Sequence, residues 1–219
     1  MPFTVQCGDQ RMNKTMPPLR QKLREVASEA MLDAAERCMI ANGYEQTTMQ
    51  QIATEAGCAA GTFYLYFKSK EELLRVILGR HSSVMFKMVR KEFDDLDDPL
   101  ESIKAGTFTF LKHANENRGF YRLFLTALPM RHGQLVKMLP PEAQREQQDF
   151  MMLEIEAFRE AQRRGLIRSD LPAEFMHNSL VALGFELVER VIYDENPPGI
   201  QTQSEMIWRL FSEGIGAKS

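Results

Sequence analysis

Apolar residues recur along this chain at the three- and four-residue spacing of one helix face, and there are no sustained alternating runs of the kind that strands show. The first apolar stripe runs from Arg24 to Asn42, and Gly43 follows it as a helix stop. The residues of this stripe are mostly small: Ala27, Ala30, Met31, Ala34, Ala35, Cys38 and Met39. The pattern predicts an all-α fold.

Capping residues, glycines and prolines divide the rest of the chain. Thr48 with Gln51, and Ser69 with Glu72, match the capping-box pattern of a helix start. These signals predict about nine helices. After the first, they are a short helix capped by Thr48, then Ala59–Tyr66, Ser69–Phe93, Pro99–Asn115, Arg118–Leu128, Pro141–Arg164, Pro172–Asp194 and Gln203–Gly216.

The formal net charge of the 219 residues is −3, so any basic surface for nucleic acid must be local. Such a segment lies at the start, where five basic residues up to Arg24 accompany one acid, Asp9. The odd number of cysteines, three, disfavours a secreted disulfide framework. The leader lacks the apolar core of a signal peptide, and no segment is apolar enough to span a membrane. We therefore expect a cytoplasmic protein.

The segment from Thr48 to Phe67 has the requirements of a helix-turn-helix. Ala53 is small where the two helices would cross, Gly57 can adopt positive φ in the turn, and Phe63 can anchor the second helix. The same spacing leaves short or polar side chains on the outer face of that second helix, where it can enter a major groove. They are Ala60, Gly61, Thr62, Tyr64 and Tyr66.

From Ala30 to Leu74 the sequence resembles the tetracycline-repressor (TetR) family of transcriptional regulators. The resemblance rests on Gly43-Tyr44, Thr47-Thr48, Ile52-Ala53, Ala56-Gly57, Gly61-Thr62-Phe63-Tyr64, Tyr66-Phe67, Lys68-Ser69-Lys70 and Glu72-Leu73. It implies DNA contacts by Thr48, Gln50, Ala60, Gly61, Thr62, Tyr64, Tyr66, Lys68 and Lys70. Ala59 and Leu65 depart from the family pattern and make the recognition helix unusually apolar.

The resemblance also implies an organisation in three parts: a flexible basic arm over residues 1–23, a DNA-binding domain over 24–85 with its motif at 48–67, and a ligand-binding and dimerisation bundle over 86–219. A dimer would bind a palindromic operator and be released from it by a small effector. Repression relieved by ligand is the expected regulation, and activation stays open.

The last two helices carry the apolar stripes expected of a dimer interface in such a family. The predicted interface residues are Leu180, Leu183, Leu187, Val191, Ile207, Leu210 and Phe211. The alternative is a fully buried core helix in a monomer.

Methionine and aromatic side chains in the bundle can line an adaptable cavity, although such stripes are more often simply core. The candidate pocket residues are Met85, Met88, Phe108, Leu111, Tyr121, Phe124, Met151, Phe158 and Phe185. Because few buried charges are expected there, the predicted effector is largely apolar or aromatic.

Other functions have weaker support. The four histidines are scattered, and no phosphate loop or nucleophile elbow occurs, so we expect no enzyme, no metal and no other cofactor. A redox-sensing regulator would use Cys38 and Cys58, whose simpler interpretation is as small buried residues. A third alternative is a bundle that binds ligands or other proteins without binding operator DNA.

Overall fold

The computed structural model describes residues 18–127 and 136–215. These residues form nine α-helices and one 3₁₀ turn, at Val136–Met138, which confirms the all-α prediction. The helices are α1 (Pro18–Asn42), α2 (Met49–Glu55), α3 (Ala60–Tyr64), α4 (Lys70–Asp95), α5 (Pro99–Glu116), α6 (Arg118–Ala127), α7 (Pro141–Arg163), α8 (Ala173–Tyr193) and α9 (Ile200–Ile215).

Helix α1 begins at Pro18, earlier than the predicted start at Arg24. The expected arm over residues 1–23 is therefore helical from Pro18 onward, while residues 1–17 lie outside the described part of the chain. Proline suits the first position of a helix, and the leucine, arginine, glutamine and lysine that follow are good helix formers. Leu19 and Leu23 remain exposed, so this first part of α1 does not pack on the core of the domain.

The turn between α2 and α3 depends on Gly57, whose φ of +68° lies in the left-handed region that favours glycine. The amide of Cys58 then donates to the carbonyl oxygen of Ala53 at 3.0 Å. Ile52, Ala53 and Phe63 are completely buried, so the two short helices are fixed against α1 and against each other. The crossing and anchor roles predicted for Ala53 and Phe63 match this packing.

One hydrophobic core runs without interruption from the N-terminal helices into the bundle. It joins α1, α2 and α3 to the first half of α4, then continues through α5, α6 and α8. A second core lies among α5, α7, α8 and α9 around Phe158 and Phe211. Helix α4 is thus shared by the N-terminal domain and the bundle, and its Leu74 and Ile77 are almost fully buried.

Helices α4 and α5 cross closely because Gly106 has no side chain. A Cβ atom at Gly106 would lie 2.8 Å from Cγ1 of Val89 and 3.1 Å from Cε2 of Phe93. Such distances are too short for carbon atoms, so any larger residue would push the helices apart. This close crossing positions α4 beside the cavity described below.

Candidate nucleic-acid interface and apolar cavity

Helix α2 starts at a complete capping box. The Thr48 hydroxyl accepts a hydrogen bond from the Gln51 amide at 3.2 Å, and the Gln51 side chain accepts one from the Thr48 amide at 2.8 Å. This reciprocal pair satisfies two amides that a helix start leaves free. Thr48 and Gln50 are exposed on this end of the domain, as the predicted DNA contacts require.

Helix α3 presents its outer face to solvent. Gly61, Thr62 and Tyr64 are exposed and Ala60 is half-buried, whereas Phe63 is fully buried. No side chain of Ala59 caps the helix start, so this five-residue helix is held by its anchor rather than by its own ends. Its exposed face is short, neutral and smooth, which suits close approach to a groove.

The basic residues after α3 are partly engaged within the domain. The Lys68 ammonium donates to the Tyr64 carbonyl oxygen at 2.9 Å. The Lys70 ammonium donates to the carbonyl oxygens of Tyr44 at 2.8 Å and Glu45 at 3.2 Å, and lies 4.6 Å from the Tyr44 ring centroid. Lys70 therefore fastens the loop between α1 and α2 as well as carrying charge to this surface.

Tyr66, the remaining predicted DNA contact, is half-buried, and the Arg24 guanidinium lies 5.6 Å from its ring centroid. The Ser69 hydroxyl caps α4 by accepting from the Glu72 amide at 3.2 Å. The Glu72 carboxylate, however, accepts from the amide of Lys68 rather than of Ser69, one residue earlier than a capping box requires. The predicted second capping box is therefore only half formed.

An apolar cavity lies in the bundle between α4, α5, α6, α7 and α8. Its volume is about 140 Å³, and it is partly open to solvent. Five of the predicted pocket residues line it: Met85, Tyr121, Phe124, Met151 and Phe185. The other four do not. Leu111 is buried in the first core and Phe158 in the second, and Met88 and Phe108 also lie outside the lining.

The cavity contains more polar chemistry than the sequence led us to expect. His81, Glu154 and His177 line it among phenylalanines. For Glu154 and His177, the helical spacing of the sequence already indicates a position on a buried face. Glu154 lies four residues from both Phe150 and Phe158 on the apolar stripe of α7, and His177 occupies the equivalent place between Ala173 and Leu180 on α8.

Glu154 is the most strongly perturbed acid of this cavity. Burial raises its pKa to about 8, so the carboxyl is largely protonated at neutral pH. Its Oε2 atom lies 3.4 Å from Nδ1 of His177. The sequence did not single out this residue, because a carboxyl group can occupy an apolar stripe in its neutral form.

One wall of the cavity connects to helix α1. The His81 ring stacks on Phe120 with centroids 3.7 Å apart, and its Nε2 lies 2.8 Å from Oε1 of Glu36. The neighbouring Arg80 also pairs with Glu36, at 2.5 Å, and with Asp33, at 2.6 Å. Burial alone would raise the pKa of Glu36, but the hydrogen bond to His81 and the charge of Arg80 outweigh it and hold that pKa below its ordinary value.

Deeper in the same wall, His113 and Tyr121 form a neutral pair. Nδ1 of His113 lies 3.1 Å from the Tyr121 hydroxyl oxygen. Burial, and then the charge of His81, lower the pKa of His113, while burial raises that of Tyr121. Both groups therefore remain uncharged at neutral pH and act as hydrogen-bonding partners rather than as ions.

The residues predicted for a dimer interface lie mostly inside the chain's own core. Leu180, Val191, Ile207 and Phe211 are at most 6% exposed, and Leu180 lines the cavity. Leu183 and Leu187 are half-buried against the core, and only Leu210 is well exposed, at 61%. The prediction was wrong for the buried four because the strongest apolar stripe of a helix marks its side toward its own core.

Cys38 is buried and Cys58 half-buried, and both are free thiols. Burial, followed by the charge of Glu55, raises the pKa of Cys38 and so disfavours the thiolate form that oxidants attack. Within the described ranges, no group of three or more histidine, cysteine and acidic side chains is arranged to hold a metal ion. None of the helices described is long and apolar enough to cross a membrane.

A helix-turn-helix with an exposed second helix, joined by one long helix to a bundle with a cavity, defines the class of one-component DNA-binding regulators. Residues 31–77 of the chain match the family model of the bacterial regulatory proteins of the tetR family. The match covers α2 and α3, about half of α1 and the first turns of α4.

Two curated relatives extend this comparison. The chain is 40% identical over 77 residues to an uncharacterised HTH-type transcriptional regulator of Haemophilus influenzae, covering 35% of this chain and 41% of that protein. It is 30% identical over 106 residues to the fatty acid metabolism regulator protein of Bacillus subtilis, covering 48% of this chain and 53% of the relative. The chain thus spans about half the length of these curated relatives.

Among solved structures, the fatty acid degradation regulator FadR of Bacillus halodurans superposes with a TM-score of 0.72 at 20% sequence identity. The alignment covers 92% of this chain and 98% of that one. The bundle, which the family model does not reach, therefore has the same fold as a known regulator.

We predict that Glu154→Gln stabilises the protein in alkaline but not in acidic solution. Because the folded-state pKa is raised from the ordinary 4.5 to about 8, folding loses stability as pH rises through that interval. Because one pKa unit corresponds to about 1.4 kcal/mol, removing the ionisable group should restore up to about 4 kcal/mol near pH 8 and less than about 1 kcal/mol near pH 5. Urea unfolding at both pH values measures this.

The matched control is Glu156→Gln, two residues along the same helix, where the carboxylate is half-exposed and pairs with Arg163. It should leave the unfolding free energy unchanged at both pH values, because an exposed ion pair contributes little to stability. An equal gain by Glu154→Gln at both pH values would show that this carboxyl does not ionise within the folded protein.

Proposed function

We propose that this chain regulates transcription in the bacterial cytoplasm by binding operator DNA, most simply as a repressor, and that a small molecule in the bundle cavity releases it. One observation carries the proposal. Helix α4 starts directly after the recognition segment, at Lys70, and then contributes His81, Met85 and Phe86 to the cavity wall. A ligand that shifts α4 must therefore shift the attachment of the DNA-binding domain.

On the proposed DNA-binding surface, some exposed residues can contact base edges and others can contact phosphates. Gln50 and Thr62 carry exposed polar groups that can meet base edges, while Gly61 lets the backbone approach closely. Thr48 and Tyr64 expose hydroxyl groups at the edges of this surface, where phosphates would lie. The exposed lysine Lys68 adds positive charge next to them.

Selecting bound sequences from a random duplex pool tests this proposal. A palindromic operator should be enriched, with affinity falling steeply as salt rises. Within that assay we predict that Gly61→Ala lowers operator affinity by roughly tenfold or more. An added Cβ meets no atom within 4 Å inside the chain, so the fold accepts it, but the surface loses its closest approach to the groove.

Thermal unfolding is the control for Gly61→Ala, since alanine in a helix should leave the melting temperature unchanged or slightly raised. A variant that melts normally and still binds the selected operator with full affinity would contradict the placement of α3 in the groove. If no sequence is enriched even at low salt, the bundle acts as a ligand-binding or interaction protein instead.

We propose further that His81 transmits occupancy of the cavity to the DNA-binding domain. It touches the cavity on one side, and on the other its Nε2–H donates a hydrogen bond to the carboxylate of Glu36 of α1. Arg80 clamps the same helix through Asp33 and Glu36, so a small rotation of α4 breaks or reforms several contacts at once. Such clustered contacts favour two discrete positions over a continuum.

The test of this route is His81→Phe, which retains an aromatic ring beside Phe120 and removes the hydrogen bond to Glu36. Without ligand, operator affinity should stay within about threefold of the original. The loss of operator affinity that a bound effector causes should shrink by about fivefold or more. Fluorescence anisotropy with and without an effector found by thermal-shift screening measures both, and an undiminished effector response would exclude His81 as the link.

The proposed dimer uses exposed residues of the last two helices, and it shares Leu210 with the set that the sequence indicated. Phe175 and Tyr193 of α8 are 57% and 50% exposed, and Met206 and Leu210 of α9 are each 61% exposed. Phe175 and Tyr193 lie about five turns apart on one side of α8. Large exposed apolar side chains of this kind fit an interface between two copies. Two copies would supply the two recognition helices that a palindrome requires.

We predict that Leu210→Arg converts a dimer to a monomer, because it places a charge at the centre of the proposed interface. Light scattering should give half the mass of the original protein, and affinity for the palindromic operator should fall sharply. Leu96→Arg, at an exposed leucine between α4 and α5, is the matched control and should leave the mass unchanged. A dimeric Leu210→Arg protein would place the interface elsewhere.

A further inference from the structure

The cavity wall is dominated by aromatic rings. Phe86 and Phe150 lie with ring centroids 5.4 Å apart, and Phe110 and Phe185 lie 5.5 Å apart. Methionines and small residues fill the remaining wall. An apolar ligand body fits such a surface, and the negative faces of the rings also attract positive charge.

The polar groups in this wall are few and unevenly charged. Helix α4 contributes His81 and Ser82, α5 contributes Thr107, α7 contributes Gln147 and Glu154, and α8 contributes His177. Within the described residues, neither lysine nor arginine lines the cavity. The only carboxyl in this lining is that of Glu154, and His177 at 3.4 Å is the group beside it.

Because the described lining has a carboxyl group and no lysine or arginine, it should bind anionic, neutral and cationic ligands with different affinities. An anionic head group would meet no arginine or lysine in the described lining and would face Glu154. A neutral head group would find hydrogen-bonding partners but no charge. A cationic head group would find a carboxylate in a medium of low dielectric constant, where attraction between opposite charges is strong, together with aromatic rings.

We propose that the effector cavity accepts a lipophilic amine, with the protonated nitrogen paired to Glu154 and the apolar remainder lying among Phe86, Phe110, Phe150 and Phe185. This inference rests on the proposed effector role of the cavity and assigns the chemical class of the effector. Cation and carboxylate neutralise each other, which removes the cost of burying either one alone.

The pairing has a measurable proton balance. Before binding, Glu154 holds a proton at neutral pH because burial raises its pKa to about 8. The ammonium ion favours the carboxylate, so the proton leaves Glu154 for solvent when the amine binds while the nitrogen keeps its own. We therefore expect release of about one proton per ligand near pH 7, and amine affinity that increases with pH until Glu154 is already ionised.

Three probes with the same decyl chain and different head groups test the inference: decylamine, decanol and decanoate, each below its micelle concentration. Isothermal titration calorimetry of the full chain should give decylamine an affinity about tenfold or more above decanol, with decanoate weakest. Repeating the amine titration in buffers of different ionisation enthalpy counts the released protons.

Glu154→Gln should reduce decylamine affinity by about tenfold or more, abolish proton release and leave decanol binding unchanged. Glu156→Gln, with its exposed carboxylate on the same helix, should behave as the original protein in all three titrations. Unchanged decanol binding also shows that the Glu154→Gln cavity is intact, so a lost amine preference cannot be attributed to misfolding.

Two results would overturn the inference in distinguishable ways. If decanol or decanoate binds as tightly as decylamine, or if Glu154→Gln leaves amine binding unchanged, the cavity still holds ligands but Glu154 does not select cations. If none of the three probes binds, the amine assignment fails and the proposed effector role of the cavity fails with it.

Discussion

Helix α4 packs against both the helix-turn-helix and the bundle, and the rest of the structure depends on this shared packing. Its first turns complete the hydrophobic core of the helix-turn-helix through Leu74 and Ile77. Its middle forms one wall of the cavity, and between the two Arg80 and His81 contact the carboxylates of α1. Because the core is continuous across this helix, the N-terminal domain and the bundle cannot rearrange independently.

The short helix α3 of the proposed recognition surface is held in place by buried side chains rather than by its own hydrogen bonds. A five-residue helix without a side-chain cap is marginal by itself, since helix formation has a costly nucleus. Phe63 and Phe67 are both fully buried behind it, and the positive φ of Gly57 aims it outward. The side chains facing solvent are consequently free to serve recognition rather than folding.

Much of this architecture could be predicted from the chain, because helix punctuation and the Ala53, Gly57 and Phe63 positions are local signals. The side of a helix that meets a particular neighbour is not local. Leu180 and Phe211 carry the strongest stripes and lie in the chain's own core, whereas the exposed Leu210 lies outside it. The start of α1 at Pro18 was also missed, and the leucines of its first turns lie outside the core. Likewise, four predicted cavity residues proved to lie elsewhere, because periodicity does not show which buried residues border empty space.

The proposed DNA-binding surface and the wall of the cavity have no residue in common. Gln50, Gly61 and Thr62 lie on α2 and α3, whereas the cavity is lined from α4 onward, starting at Leu78. A substitution in one set therefore leaves the chemistry of the other intact. After gene duplication, one copy can acquire a new operator while the other acquires a new signal, and neither must pass through a form that has lost both.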